Sequence, residues 1–181
     1  INLKGKKIAI IGYGSVGKRL HNKAELMGLT TLSNDPPLAM KIKKILDNPK
    51  LENITKYNKH ELSMLKNLDE ILPQADIVSI HTPLTTTGKW PTKNLVNQDF
   101  VNLMKKNTIF INTSRGGVCD EAVLISAKKN GIIRTIVTDV WEKEPNYNIE
   151  LCTHSEISTP HIAGHSFLAR FLGSYWCALK L

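Results

Sequence analysis

Three segments in the second half of the chain each set a side chain capable of anion or proton chemistry just behind an apolar run. Asn112-Thr113-Ser114-Arg115-Gly116-Gly117 offers a guanidinium, Asp139-Val140-Trp141-Glu142-Lys143-Glu144-Pro145 offers carboxylates, and Thr159-Pro160-His161-Ile162-Ala163-Gly164-His165-Ser166 offers imidazoles. A guanidinium grips a carboxylate by paired hydrogen bonds. An imidazole takes up and returns protons near neutral pH, and a carboxylate beside it orients the ring and favours its charged form. These are the groups needed to oxidise an alcohol next to a carboxylate. Arg115 would clamp the carboxylate and the reacting oxygen, His161 would take the hydroxyl proton, and Glu144 would hold His161. Taken singly each has a plainer reading: Arg115 as a surface ion pair, Glu144 as a helix-start residue near Pro145, His161 as a satisfied buried histidine. Their joint placement favours the chemical one.

Such an oxidation needs a hydride acceptor, and the first tenth of the chain supplies a place for one. Gly12-Tyr13-Gly14-Ser15-Val16-Gly17 is a G-x-G-x-x-G that follows an apolar strand and opens a helix. In that pattern Gly12 permits the tight turn, Gly14 lets a pyrophosphate approach the backbone, and Gly17 allows close packing of helix on strand. The helix start then presents free N–H groups and its positive dipole end to the phosphates. Asp35 follows 18 residues after Gly17, at the end of the next strand, where a carboxylate accepts hydrogen bonds from both ribose hydroxyls and repels a 2′-phosphate. The expected cofactor is therefore NAD, not NADP. The plain alternative is a glycine turn with an unrelated acid. A phosphate loop of the G-x-x-x-x-G-K type also fits Gly12, Gly17 and Lys18, but Arg19 stands where a magnesium-binding Ser or Thr is required.

The elements that must position these groups are legible as apolar, β-branched runs at residues 7–11, 77–81, 108–112 and 135–140, with a weaker one at 29–33. They read as strands buried on both faces. Helical spacing covers 16–27, 99–104 and 121–130. Strands alternating with helices imply an α/β fold, a Rossmann-type doubly wound parallel sheet in a single domain over residues 1–181, with ligands at the carboxyl ends of the strands. Residues 38–67 break the rhythm and read as an insertion with one short amphipathic helix through Leu38, Ile42, Ile45 and Leu46. Residues 166–181 read as a helix whose apolar face packs on the sheet or against another domain. His81, at a strand end, shapes the cofactor pocket, and Asp139 is placed to accept from a nicotinamide amide. His21, His60 and His154 have no comparable setting and read as surface residues.

Composition narrows the class further. The chain has 181 residues, 41% hydrophobic and 22% charged, which is the balance of a globular domain. Its net charge of +8 is spread along the sequence and carried by 20 Lys against 4 Arg, so no nucleic-acid footprint is expected. No apolar run reaches the length of a membrane span, and no membrane partner is expected. Three widely spaced cysteines fit neither a disulfide framework nor a metal site, and point to a reducing, cytoplasmic setting.

Through IIGYGSVGKRL, SIHTPLT, INTSRGG, TDVWEKEP and TPHIAGHS the chain resembles the D-isomer-specific 2-hydroxyacid dehydrogenase family. The resemblance implies that Arg115, Glu144 and His161 form the active site, with the histidine as acid/base. It also implies that Thr82, Thr113, Ser114, Asp139 and Gly164 lie against NAD. Asn34-Asp35-Pro36-Pro37, HTPLTTTGKWPT with its Gly88, DVWEKEP and HIAG look most like a member that oxidises a phosphorylated 2-hydroxy acid, 4-phospho-D-erythronate, in pyridoxine biosynthesis. A homodimer is implied as well. His165 stands next to the substrate where such members commonly carry Tyr, and residues 38–67 are longer than expected. The family builds a substrate domain from a segment before the glycine loop and a return after the last helix, so this chain looks like the cofactor domain. Other expected readings are a phosphoglycerate, glycerate or lactate dehydrogenase, and an NAD-sensing, corepressor-like binding protein.

Overall fold

The computed structural model describes residues 2–48, 50 and 59–179. Six short strands run parallel in one sheet of order β2-β1-β3-β4-β5-β6. They are β1 (Lys7–Ile11), β2 (Thr30–Asn34), β3 (Ile77–Ile80), β4 (Thr108–Asn112), β5 (Ile133–Thr138) and β6 (Ile157–Ser158). Helices connect them: α1 (Ser15–Leu26), α2 (Pro36–Leu46), α3 (Lys59–Met64), α4 (Leu68–Ile71), α5 (Gln98–Asn102), α6 (Glu121–Lys129), α7 (Ile149–His154) and the terminal α8 (Phe167–Ala178). The chain winds outward from β1 to β2, then returns across β1 to β3 and proceeds the other way. That reversal opens a crevice at the carboxyl end of β1, where open α/β sheets take their ligands.

The sheet is held by burial on both faces. Ile8, Ile10 and Ile77 pack with Ala24 and Leu29 on the α1 side. Ala9, Ile11, Val78, Ile80, Phe110 and Ile136 pack against α4, α5 and α6 on the other. Successive residues of a strand point to opposite faces, so a continuous apolar run such as KIAII is what a doubly covered strand requires. Each of the Ile, Val, Leu and Phe side chains among them contributes about 1.5–3 kcal/mol on burial.

The structure refines several sequence readings. The helix expected over 38–46 is α2; Asp35 caps it by accepting from Leu38 N at 2.9 Å, and Pro36 opens it. The later part of the 38–67 excursion closes on the edge of β2, where Leu65 bridges Ser33 and the Asn34 side chain donates to the Lys66 carbonyl at 2.7 Å. Residues 49 and 51–58 of that excursion lie outside the described residues. His21 is a correction. It is buried at 6% exposure, edge-on to the Tyr13 ring, because Gly17, His21 and Ala24 form the inner stripe of α1. The apolar face of α8 does not pack on the sheet: Phe167, Leu168, Phe171 and Tyr175 are all at least half exposed. Residues 180 and 181 of the expected terminal helix lie outside the described residues. Among the described residues no helix is long and apolar enough to cross a membrane.

Candidate active site

The glycine loop stands at the end of β1 as the reversal of the sheet requires. Gly12 has φ of +98°, and a Cβ there would come within 2.7 Å of the His81 carbonyl oxygen. The turn therefore admits only glycine. Gly17 packs so closely beneath it that a Cβ would overlap the Gly12 carbonyl. Around Gly14, by contrast, nothing lies within 4 Å of the place a Cβ would take. Ser15 and Val16 form the exposed first turn of α1, which carries no acidic residue to compete with an anion. Asp35 is half-buried beside this loop and accepts from Tyr13 N at 2.9 Å, which ties the acid to the loop.

Next along the sheet, β3 delivers His81 and Thr82. His81 bonds Ser79 Oγ at 2.8 Å, and burial pushes its pKa down, so the ring is neutral. Thr82 Oγ1 is buried without a hydrogen-bond partner among the described residues. A buried hydroxyl without a partner is costly, and one on the rim of a crevice is suited to a ligand. Beside Asp35 a cavity of about 530 Å³, lined by Pro36, Pro37, Trp90 and Leu95 among others, is large enough for a nucleobase. A cradle open at Gly14, a free helix start, an acid at the β2 end and the Thr82 hydroxyl together fit NAD.

At the end of β4, Asn112 organises the guanidinium segment. Its Oδ1 accepts from Ser114 N at 3.1 Å and Ser114 Oγ at 2.9 Å, which turns Thr113 outward and Ser114 inward. Arg115 is exposed, with Nη1 on its neighbour's carbonyl, Ser114 O, at 2.6 Å. It makes no hydrogen bond or ion pair with Glu144 or His161 among the described residues. Those two do meet: His161 Nδ1 lies 2.8 Å from Glu144 Oε2. Glu144 Oε1 accepts from Trp141 N at 3.0 Å. Burial pushes the Glu144 carboxyl up, but the bonds from His161 and Trp141 N outweigh it and hold the group below its usual range. Glu144 is thus ionised near neutrality, and an ionised carboxylate accepts only, so Nδ1 carries the proton and Nε2 is left to face a substrate.

Asp139 is at the end of β5 as expected, and its carboxylate is committed to the loop that carries His161. Oδ1 accepts from Thr159 Oγ1 at 2.5 Å and Ile162 N at 2.8 Å, and Oδ2 accepts from Ala163 N at 3.0 Å. Burial alone would raise its pKa; the three donors win and lower it. The loop they fix holds His161 at φ of +56°, a left-handed conformation that a non-glycine residue adopts only when its surroundings impose it. Gly164 and His165 are exposed at the rim. Sequence reading overlooked Trp141 and Glu121. Glu121 is buried at the start of α6, accepts from Glu142 N at 2.8 Å and Asn148 Nδ2 at 2.9 Å, and so pins the Glu144 segment. A carboxylate at a helix start was the available signal. Among the described residues no cluster of three His, Cys, Asp or Glu side chains could hold a metal ion.

Comparison with known proteins bears on the family and the fold. The family described as D-isomer specific 2-hydroxyacid dehydrogenase, NAD binding domain, matches residues 1–163. The chain is 38% identical over 173 residues to an erythronate-4-phosphate dehydrogenase of Wigglesworthia glossinidia brevipalpis, covering 96% of this chain and 41% of that protein. It is 41% identical over 170 residues to the enzyme of the same name from Ruthia magnifica subsp. Calyptogena magnifica, covering 94% and 43%. The chain thus spans less than half the length of these relatives. In fold it resembles a glyoxylate reductase from Paecilomyes thermophila, with a TM-score of 0.74 at 23% identity over 97% of this chain and 48% of that one.

Proposed function

The chain belongs to the D-isomer-specific 2-hydroxyacid dehydrogenases, as their NAD-binding domain, and from that premise we propose that it is the cofactor half of an enzyme oxidising a D-2-hydroxy acid. The observation that carries this reading is the 2.8 Å contact of His161 Nδ1 with Glu144 Oε2 at the carboxyl end of a dinucleotide-binding sheet. NAD, when bound, supplies the acceptor for the hydride of the substrate carbon. The start of α1 and Gly14 hold the pyrophosphate, Asp35 the ribose, and Thr82 a further polar group of the dinucleotide. Arg115 binds the substrate carboxylate by paired hydrogen bonds. His161 takes the hydroxyl proton at Nε2 as the C–H bond breaks and the carbonyl forms, and Glu144 stabilises the resulting imidazolium. Thr113, Ser114 and Gly164 border the cofactor, and His165 borders the substrate.

The substrate we infer is 4-phospho-D-erythronate, oxidised to 3-hydroxy-2-oxo-4-phosphooxybutanoate in cytoplasmic pyridoxine biosynthesis by a homodimer. Two relatives named for that substrate, at 38% and 41% identity, support it. The test is formation of NADH or NADPH from 4-phosphoerythronate, 3-phosphoglycerate, glycerate and lactate, with NAD and NADP respectively, by the full-length protein. Preference for 4-phosphoerythronate with NAD is expected. Turnover of another acid alone would discard the substrate assignment and keep the chemistry, and retained NAD binding without turnover of any acid would favour an NAD-sensing role.

A further inference from the structure

Trp141 lies at the meeting point of the three segments that carry Arg115, Glu144 and His161, and it makes a contact with each. Its backbone N–H donates to Glu144 Oε1 at 3.0 Å. Its indole Nε1–H donates to the Thr159 carbonyl at 3.0 Å, two residues before His161. Its own carbonyl lies so close over Gly116, next to Arg115, that a Cβ there would overlap it. The side chain is buried at 5% exposure in the core beneath, and its ring meets Tyr147 at 5.3 Å between centroids. A buried indole N–H needs an acceptor. Here that acceptor is the backbone of the histidine loop, where an ordinary aromatic residue would only fill space.

We propose that Trp141 is a positioning residue for the Glu144–His161 pair. It fixes one oxygen of Glu144 so that the other points at Nδ1, and it anchors the start of the loop that presents the imidazole. The consequence is a choice of tautomer: with Glu144 and the loop both held, the proton of the neutral ring stays on Nδ1 and Nε2 is open to substrate. Asp139 secures the loop on the far side of His161 through Ile162 and Ala163 and also holds the Thr159 hydroxyl on the near side. Trp141 holds the Thr159 carbonyl and is the residue that links the near side to Glu144. The inference rests on the pair having the chemical role proposed above, but its test does not need turnover.

The test is the nitrogen-15 spectrum of the imidazole of His161 in the chain without cofactor, which reads the Nδ1–H to Nε2–H ratio of the neutral ring. Trp141→Phe keeps a buried ring and the backbone N–H and removes the indole donor. We expect far-UV circular dichroism to be unchanged and the ratio to move about fivefold to tenfold toward Nε2–H, the factor one hydrogen bond sustains. An unchanged ratio in a folded Trp141→Phe overturns the proposal. Should that variant not fold, benzothienylalanine at 141 keeps the shape of the indole without its N–H and is read in the same way. Glu144→Leu, which removes both acceptor oxygens, separates the role of Glu144 from that of Trp141. If it leaves the ratio unchanged in a folded protein, the Glu144–His161 reading itself fails; if it shifts the ratio while Trp141→Phe does not, only the role of Trp141 fails.

Discussion

Asp139→Asn isolates the work of one carboxylate. The native group is 3% exposed and accepts three hydrogen bonds, from Thr159 Oγ1, Ile162 N and Ala163 N. An amide of the same shape keeps one carbonyl oxygen, enough for Thr159 and Ile162, and turns an NH2 toward Ala163 N, where donor then faces donor. Bonds to a charged acceptor contribute about 1.5–3 kcal/mol each and neutral ones about 1 kcal/mol, so one lost and two weakened would sum to about 2.5–7 kcal/mol. The loop they hold is exposed from Pro160 onward and can detach without unfolding the sheet. We therefore set the net loss at about 2 kcal/mol, expressed locally. Amide exchange at Ile162 and Ala163 should accelerate about 30-fold, while amides of β1 and β3 keep their rates. The pH dependence gives the sign. A carboxyl lowered in the folded state contributes its stabilisation above its unfolded pKa, about 3.9, and loses it as pH falls through the lower folded value. Native protection at Ile162 and Ala163 should thus collapse below about pH 4, and the variant should lack that acid step. Equal protection in the two proteins at neutral pH would refute the assignment of Asp139 as the anchor of the loop.

Three further outcomes follow from the same geometry. His161→Ala should abolish turnover, at least 100-fold in kcat for loss of an acid–base group, with NAD affinity within about twofold by calorimetry; equal loss of both would make His161 structural. Asp35→Ser preserves a capping oxygen for α2 and removes the charge, so NAD should bind about tenfold more weakly and the preference over NADP should shrink. Unchanged discrimination would dissociate Asp35 from the ribose. Gly12→Ala places a Cβ against the His81 carbonyl in a positive-φ turn, and should cost at least 1 kcal/mol in urea unfolding together with measurable NAD affinity; native stability with native affinity would contradict the close approach.

How much of this was visible in the sequence depends on the range of the interaction. Strands buried on both faces announce themselves as apolar runs, so β1 and β4 were bounded to the residue and β5 was displaced by two. β6, with two residues, is too short to make a pattern, although it carries the histidine loop. The helices α3, α4 and α7 are four to six residues long and leave no periodic signal. His21 reads as a surface residue for want of a chemical setting, although Gly17 and Ala24 at helical spacing mark its side of α1 as the inner one.

The site shows the same division. The glycine loop is local: Gly12 answers to the strand beside it at His81 and Gly17 to the Gly12 carbonyl, while the space at Gly14 is left open. Its residues are therefore legible from spacing. The pairing of Glu144 with His161 spans 17 residues and that of Asp139 with Ala163 spans 24, across a crossover and a strand. Residue type suggested which groups act, but only the fold shows which groups hold them. Asp139 illustrates the difference. Its position at a strand end pointed outward to a ligand, yet both oxygens are engaged by the loop that shapes His161, including the backbone on the far side of a strained residue. A φ of +56° persists only if its neighbours are fixed on either side. Those neighbours are held by Asp139 and by Trp141, which makes the supporting carboxylate and indole as necessary to the imidazole's aim as Glu144 is to its protonation.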